Sequence, residues 1–326
     1  MSTRTGRRTW GALALMLVVL VAAACTPPPE PGPGVRGAGG PLPVRFDVEP
    51  LLSQLLDDPT ASPPGANDFA CEPTDEHPRP VVLVHGLVMT RAFWQTLSPL
   101  LANNGYCVFA LTFGSPVGVP ELGGIRSIED SSHDLAAFVD EVLAATGADE
   151  VDLVGHSEGT VMPQYYLKRL GGAEEVRNYV AITPLYDGST GWGIDEVIDG
   201  LTSLPFGIGQ AIEDFFEAAC GACRDALHGS QFNAELYADG VVAVPGVEYT
   251  TILTRHDEIV TPWTSGLLDA PNARNVVLQD GCEEDLSEHL SAAFTPRAMD
   301  VVLNALDPGN AVPPICVPTL PAYGYR

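Results

Sequence analysis

The sequence predicts an α/β fold: a mostly parallel central sheet, helices on both faces, and an inserted helical cap. Three observations carry that expectation. Short runs rich in β-branched and aromatic residues recur along the chain between turn residues, as buried parallel strands require. Apolar residues at helical spacing fill the intervals, and such alternation implies a sheet covered on both sides. One interval is too long for a bare loop in a compact domain and reads as an insertion. With 326 residues, 45% of them hydrophobic, the chain can bury a core without a structural metal. Its 42 acidic and 16 basic residues give a net charge of −26. That balance excludes a general nucleic-acid binder, because phosphate contacts need a basic face.

The N-terminus has the form of an export signal over residues 1–24. Arg4, Arg7 and Arg8 make a basic start, and residues 11–24 are an uncharged apolar run too short to span a bilayer comfortably. The surroundings of Arg7 and Arg8 match a twin-arginine signal poorly. Val21-Ala22-Ala23-Ala24-Cys25 is similar to a bacterial lipoprotein signal, which would leave Cys25 lipidated at the new N-terminus; free secretion stays open beside it. Setting Cys25 apart leaves six of the seven cysteines, an even number suited to an oxidising compartment. Residues 26–43 are dominated by Pro and Gly, a composition for an extended tether. The expected organisation is therefore a signal peptide at 1–24, a lipoprotein-like cysteine and tether at 25–66, and a folded domain at 67–326.

Within that domain the expected strands are 80–85, 106–113, 150–156, 177–183, 248–254 and 275–279. Phe93, Trp94, Leu97, Leu100 and Leu101 mark one helical face. Ser127 with Asp130 reads as a capping box, followed by Ile128, Leu135, Val139 and Val142 on a second face. The long interval, about 187–246, reads as the cap. Ile208, Ile212, Phe215 and Phe216 form one face there, suited either to core packing or to a lid over an apolar cleft. No internal repeat is visible.

The chemistry centres on Gly155-His156-Ser157-Glu158-Gly159. A G-x-S-x-G is weak alone, but here it follows the run Val151-Asp152-Leu153-Val154 and precedes Val161, Tyr165 and Leu170 at helical spacing. Strand, tight turn and helix are what a nucleophile elbow needs. Pro163 falls inside that helix and is expected to kink it. A serine hydroxyl needs a base, usually a histidine oriented by a carboxylate. Asp257, with Asp187 as the spare acid, and His289 follow in chain order, each beyond the carboxyl end of a strand, where α/β sites form. The other histidines are worse placed: His85 and His156 precede the acid, and His256 adjoins it. His77, His133 and His228 fall in a linker, a helix and the cap. His85-Gly86-Leu87 follows the first strong strand, so backbone N–H groups of Leu87 and Glu158 are the candidate oxyanion donors. Cys220 and Cys223 lack the further ligands zinc wants, and the acidic run at Asp280, Glu283, Glu284 and Asp285 lacks EF-hand spacing. No metal or cofactor is expected.

The segments RPVVLVHGLVMTRAFWQTLSPLLANNGYCVFALTFG, VDLVGHSEGTVMPQYYLKRLGG and ILTRHDEIVTPW resemble the secreted actinobacterial triacylglycerol lipases and esterases of the α/β-hydrolase fold, over about residues 67–317. The resemblance implies Ser157, Asp257 and His289 as a catalytic triad. It also implies disulfides Cys71–Cys107, Cys220–Cys223 and Cys282–Cys316, one of fifteen possible pairings of six cysteines. Glu158 stands where many relatives carry glutamine. The expected activity is hydrolysis of lipid carboxylic esters by an extracytoplasmic protein, with membrane anchoring if Cys25 is lipidated. Short-chain esterase, thioesterase or acyltransferase activity, and a non-catalytic surface lipoprotein, are the alternatives.

Overall fold

The computed structural model describes residues 34–191 and 219–325. Six strands form one wholly parallel sheet: β1 (Val81–Val84), β2 (Val108–Leu111), β3 (Val151–His156), β4 (Val176–Ile182), β5 (Glu248–Leu253) and β6 (Ala273–Val277). Their spatial order is β2-β1-β3-β4-β5-β6. The chain runs outward from β1 to β2, then returns across β1 to β3. A crevice opens at the carboxyl ends of the strands at such a reversal.

Both sheet faces are covered, as the fully buried strands β1, β2 and β3 require. Successive side chains of β1 alternate between faces: Val81 and Leu83 join one core with Trp94, Leu97, Leu100, Met299 and Val302. Val82 and Val84 join the other with Ile128, Leu135, Val139, Met162 and Tyr166. The first core takes helices α1 (Glu49–Asp57), α2 (Leu97–Asn103) and, near the C-terminus, α6 (Pro296–Leu306); the second takes α3 (Ile128–Thr146) and α4 (Met162–Arg169). The Ser127 side chain accepts from the Asp130 N–H as the expected cap of α3, and Gly147 ends that helix in the left-handed region.

Four expectations need correction. The segment up to residue 66 is not a tether throughout. Val35, Val44, Phe46 and Leu51 are buried in the first core, and α1 lies within it. The high Pro and Gly content masked these widely spaced apolar anchors. Residues 93–101 do not make one helix; a 3-10 turn at Arg91–Trp94 precedes α2. Pro163 does not kink α4, because a 3-10 turn at Ser157–Thr160 places it in the first turn, where its missing N–H has no partner to lose. The last strand ends two residues early, at Val277. The signal peptide, Cys25 and the proposed lid face from Ile208 to Phe216 lie outside the described residues. The described parts of the cap interval include a helix at 219–225 and α5 (Gln231–Leu236).

Candidate active site

Ser157 sits at the end of β3 with φ +55°, a left-handed conformation that β-carbon residues adopt at a cost. The two flanking glycines make this turn possible. A methyl group on Gly155 would overlap the Gly159 carbonyl, and one on Gly159 would overlap the carbonyl oxygens of Val84 and His85. The elbow therefore fits against the end of β1 only without side chains at both positions. Three hydrogen bonds brace it from behind. Thr160 Oγ1 donates to the Ser157 carbonyl (2.6 Å) and accepts from the Leu185 N–H (2.9 Å), while the Tyr179 hydroxyl donates to the Thr160 carbonyl (2.7 Å).

Asp257 and His289 come from the loops after β5 and β6. His289 Nδ1 lies 3.0 Å from both Asp257 carboxylate oxygens. Both side chains are nearly buried, at 8% and 3% exposure, so the pair is shielded from water. Asp257 Oδ1 also accepts from the Ile259 (3.0 Å) and Val260 (2.7 Å) amides, which orient the carboxylate. Other side chains tie the two loops together. Thr254 Oγ1 donates to the Ser287 carbonyl, and Gln279 Nε2 donates to Thr254 Oγ1 and to the Asp285 carbonyl. The C-terminal strap adds support: Thr319 donates to Asp285, the Ala322 N–H to Glu288, and Cys282–Cys316 closes the loop.

The last residue of β3, just before Ser157, reaches the His289 loop. His156 Nε2 donates to the His289 carbonyl (2.9 Å), and the two rings lie 4.9 Å apart. Burial, with a further contribution from His289, lowers the His156 pKa to about 3, so this ring is neutral. Among the described residues no hydrogen bond joins the Ser157 hydroxyl to His289. Catalytic hydrogen bonds of this kind often tighten only when substrate is bound.

The turn after β1 closes the other side. A methyl on Gly86 would lie 3.0 Å from Ser157 Cβ. His85 holds this turn: its Nδ1 donates to the Gly86 carbonyl (2.8 Å), and its Nε2 accepts from the Phe113 N–H (3.3 Å). Burial lowers its pKa to about 4 and keeps that tautomer uncharged. Among the described residues no turn or side-chain hydrogen bond uses the amides of Leu87 or Glu158. Two N–H groups near a strained serine can meet a developing oxyanion.

The spare acid is elsewhere: Asp187 lies beside exposed His228. All three implied disulfides are present, so Cys220 and Cys223 offer no thiolate to a metal. The acidic run is split among separate tasks, with Asp280 on Arg255 and Asp285 on Ser287 and Thr319. Sequence reasoning missed the supporting groups Thr160, Tyr179, Thr254, Gln279 and Glu288. It named His156 only to set it aside as a base. Their partners lie up to 133 residues away, so no local pattern marks them.

A parallel sheet whose carboxyl edge carries a serine elbow, an Asp–His pair and an amide-lined turn defines the hydrolase class of α/β proteins. Residues 81–313 match the alpha/beta hydrolase family, and the chain belongs to it. A triacylglycerol lipase of Pseudarthrobacter phenanthrenivorans is 36% identical over 164 residues, covering 48% of this chain and 47% of that relative. One from Burkholderia plantarii is 36% identical over 164 residues, covering 48% and 42%. The match thus spans about half the length of these relatives. The Aspergillus fumigatus lipase B structure aligns with a TM-score of 0.54 at 17% identity, over 79% of this chain and 62% of that one. Mature Bacillus licheniformis lipase BlEst2 aligns at 0.50 and 19% identity, over 76% and 96%. At such identities these two likenesses speak for the fold alone.

Proposed function

We propose that this chain is a serine hydrolase of carboxylic esters that acts on lipid esters of the triacylglycerol kind. The observation that carries the reading is the His289–Asp257 pair at 3.0 Å on the same sheet edge as Ser157. Ser157 Oγ attacks the ester carbonyl while His289 Nε2 takes its proton. Asp257 holds the proton on Nδ1 and stabilises the imidazolium. The Leu87 and Glu158 amides bind the oxyanion. His289 then protonates the leaving alcohol, and a water it activates releases the acid from the acyl-enzyme. No cofactor enters these steps.

Lipid esters are favoured over small soluble esters by the surface around the site. Val88, Val117, Val119, Ile259 and Leu286 are exposed apolar side chains. All lie on loops leaving the carboxyl ends of β1, β2, β5 and β6. Such a rim suits an apolar acyl chain or an oil–water interface. Both relatives are triacylglycerol lipases, which supports the same substrate class. An export signal, a tether segment with Cys25 as lipidation candidate, and three disulfides support an extracytoplasmic location.

Ser157→Ala is expected to lower p-nitrophenyl butyrate turnover by at least about 10³-fold with an unchanged circular dichroism spectrum. A fluorophosphonate probe should label Ser157 in the folded wild type. Retained turnover in the variant would remove Ser157 as the nucleophile, and a wild type that neither turns over ester nor takes the label would return the chain to a non-catalytic scaffold. Activity should rise with acyl length and at an interface; a preference for short soluble esters would make it an esterase, and faster cleavage of acyl-CoA a thioesterase.

A further inference from the structure

The proposed mechanism uses only the backbone of Glu158, yet its side chain has unusual surroundings. The residue is 1% exposed, and among the described residues neither carboxyl oxygen has a hydrogen-bond partner. An ionised carboxylate is an acceptor only, and when buried it needs donors or a cation. Among the described residues the charged groups of the neighbouring segments do not supply one. Asp225, from the segment after Cys223, is itself acidic and accepts from the Ile128 N–H. Arg126, two residues beyond Gly124, turns its Nη2 to Asp134, and no hydrogen bond joins it to Glu158 among the described residues. His85, on the turn after β1, is neutral above about pH 4.

The carboxyl occupies a specific notch. Gly124 has φ +68° and is held by its N–H donating to the Phe113 carbonyl (2.8 Å). A methyl group on Gly124 would overlap Glu158 Oε2 and would lie 3.1 Å from Leu87 Cα and 3.2 Å from the Gly86 carbonyl oxygen. The Glu158 carboxyl therefore enters the space left by the missing side chain, beside the turn that carries the second proposed oxyanion donor. Its own amide is the first.

We infer that the Glu158 side chain is a positioning residue of the oxyanion site, acting as an uncharged carboxylic acid wedged at Gly124 between the serine elbow and the Gly86–Leu87 turn. The inference rests on the hydrolase reading above. Burial, and then the Asp225 carboxylate, push this acid well above the ordinary carboxylate range. Ionisation would place a negative charge beside the site where the substrate oxygen becomes negative, and would force the wedge to move toward water. Turnover should therefore decline on the alkaline side as Glu158 loses its proton. A glutamine of the same shape, which cannot ionise, should be free of that decline.

The test compares wild type, Glu158→Gln and Glu158→Ala in kcat across pH 6–10 on a soluble p-nitrophenyl ester, with Tm recorded over the same range. The ratio of kcat at high pH to kcat near neutrality should be at least about threefold greater in Glu158→Gln than in wild type. The Tm of Glu158→Gln relative to wild type should rise with pH. The folded wild type retains a proton that the unfolded chain releases, and so loses stability as pH increases. Glu158→Ala, which empties the notch, should lower kcat at every pH. Superimposable normalised profiles with a pH-independent Tm gap would overturn the inference and leave the hydrolase reading standing. A wild type with no turnover and no fluorophosphonate labelling would remove both.

Discussion

His156 Nε2 donates to the backbone carbonyl of His289 across 2.9 Å, linking the residue before the proposed nucleophile to the residue proposed as its base. A carbonyl only accepts, so the His156 proton must sit on Nε2, and burial keeps the ring neutral. Two loops 133 residues apart in sequence are thereby held in one register.

His156→Phe keeps the ring that stacks 4.8 Å from Phe93 but removes this bond. The loss of one buried hydrogen bond should reduce stability by about 1–3 kcal/mol. With the base free to shift, kcat should decrease by about 10- to 100-fold while KM changes little. Steady-state kinetics and thermal unfolding check both; a kcat within twofold of wild type would remove the positioning role.

The same ring makes the fold acid-sensitive. Burial lowers His156 to about 3 and His85 to about 4, whereas both rings take up protons near pH 6.5 in the unfolded chain. The unfolded state binds more protons across that window, so these groups remove stability as pH drops below 6.5, on the order of a few kcal/mol. The Tm gap between wild type and His156→Phe should narrow from pH 6.5 to 4.5. A gap constant over that range would contradict the neutral-ring assignment.

Asp257→Asn tests the orientation of the base. Asp257 Oδ1 accepts from two backbone amides, so an asparagine would keep its oxygen there and turn its NH2 toward His289 Nδ1. That reverses the histidine tautomer and leaves Nε2 already protonated. The expected loss in kcat is about 10⁴-fold with little change in Tm. A loss below tenfold would point to a different acid.

Gly159→Ala should be worse for the fold than for any single chemical step. The added methyl meets the carbonyl oxygens of Val84 and His85, which belong to the sheet edge and cannot rotate away. Destabilisation of about 2–4 kcal/mol is expected. Chemical denaturation measures it, and a midpoint equal to wild type would show that the elbow is looser than described.

Cys282–Cys316 closes a 34-residue loop around the His289 segment. Replacing both cysteines with serine should reduce stability by about 3–4 kcal/mol. Because the strap beyond Cys316 donates to Asp285 and Glu288, kcat should decline as well. Unfolding curves and kinetics of the double variant, compared with a Cys71/Cys107 double variant remote from the base, separate a general loss of stability from displacement of His289.

Local sequence was sufficient wherever the cause was local. Apolar runs mark the central strands because a strand buried on both faces cannot alternate with polar residues; the edge strand β6, with Arg274 and Asn275 exposed, follows that pattern least. Ser157 was legible because a strained turn after a strand tolerates nothing larger than glycine at 155 and 159. Asp257 and His289 were legible as candidates because α/β sites form beyond strand ends, and the fold brings these two together.

Long-range proximity decided the rest. Nothing near Phe46 or Leu51 in the chain signals that a Pro- and Gly-rich stretch is anchored in the core. The role of His156 depends on a carbonyl supplied from another loop, and Thr254 and Gln279 matter only once β5 and β6 lie side by side. Glu158 reads as an ordinary charged residue until Gly124, far earlier in the chain, is seen to leave room for its carboxyl. Periodicity and turn chemistry act between near neighbours and survive in one dimension. Burial, unpaired polar atoms and interloop hydrogen bonds exist only after distant segments have packed.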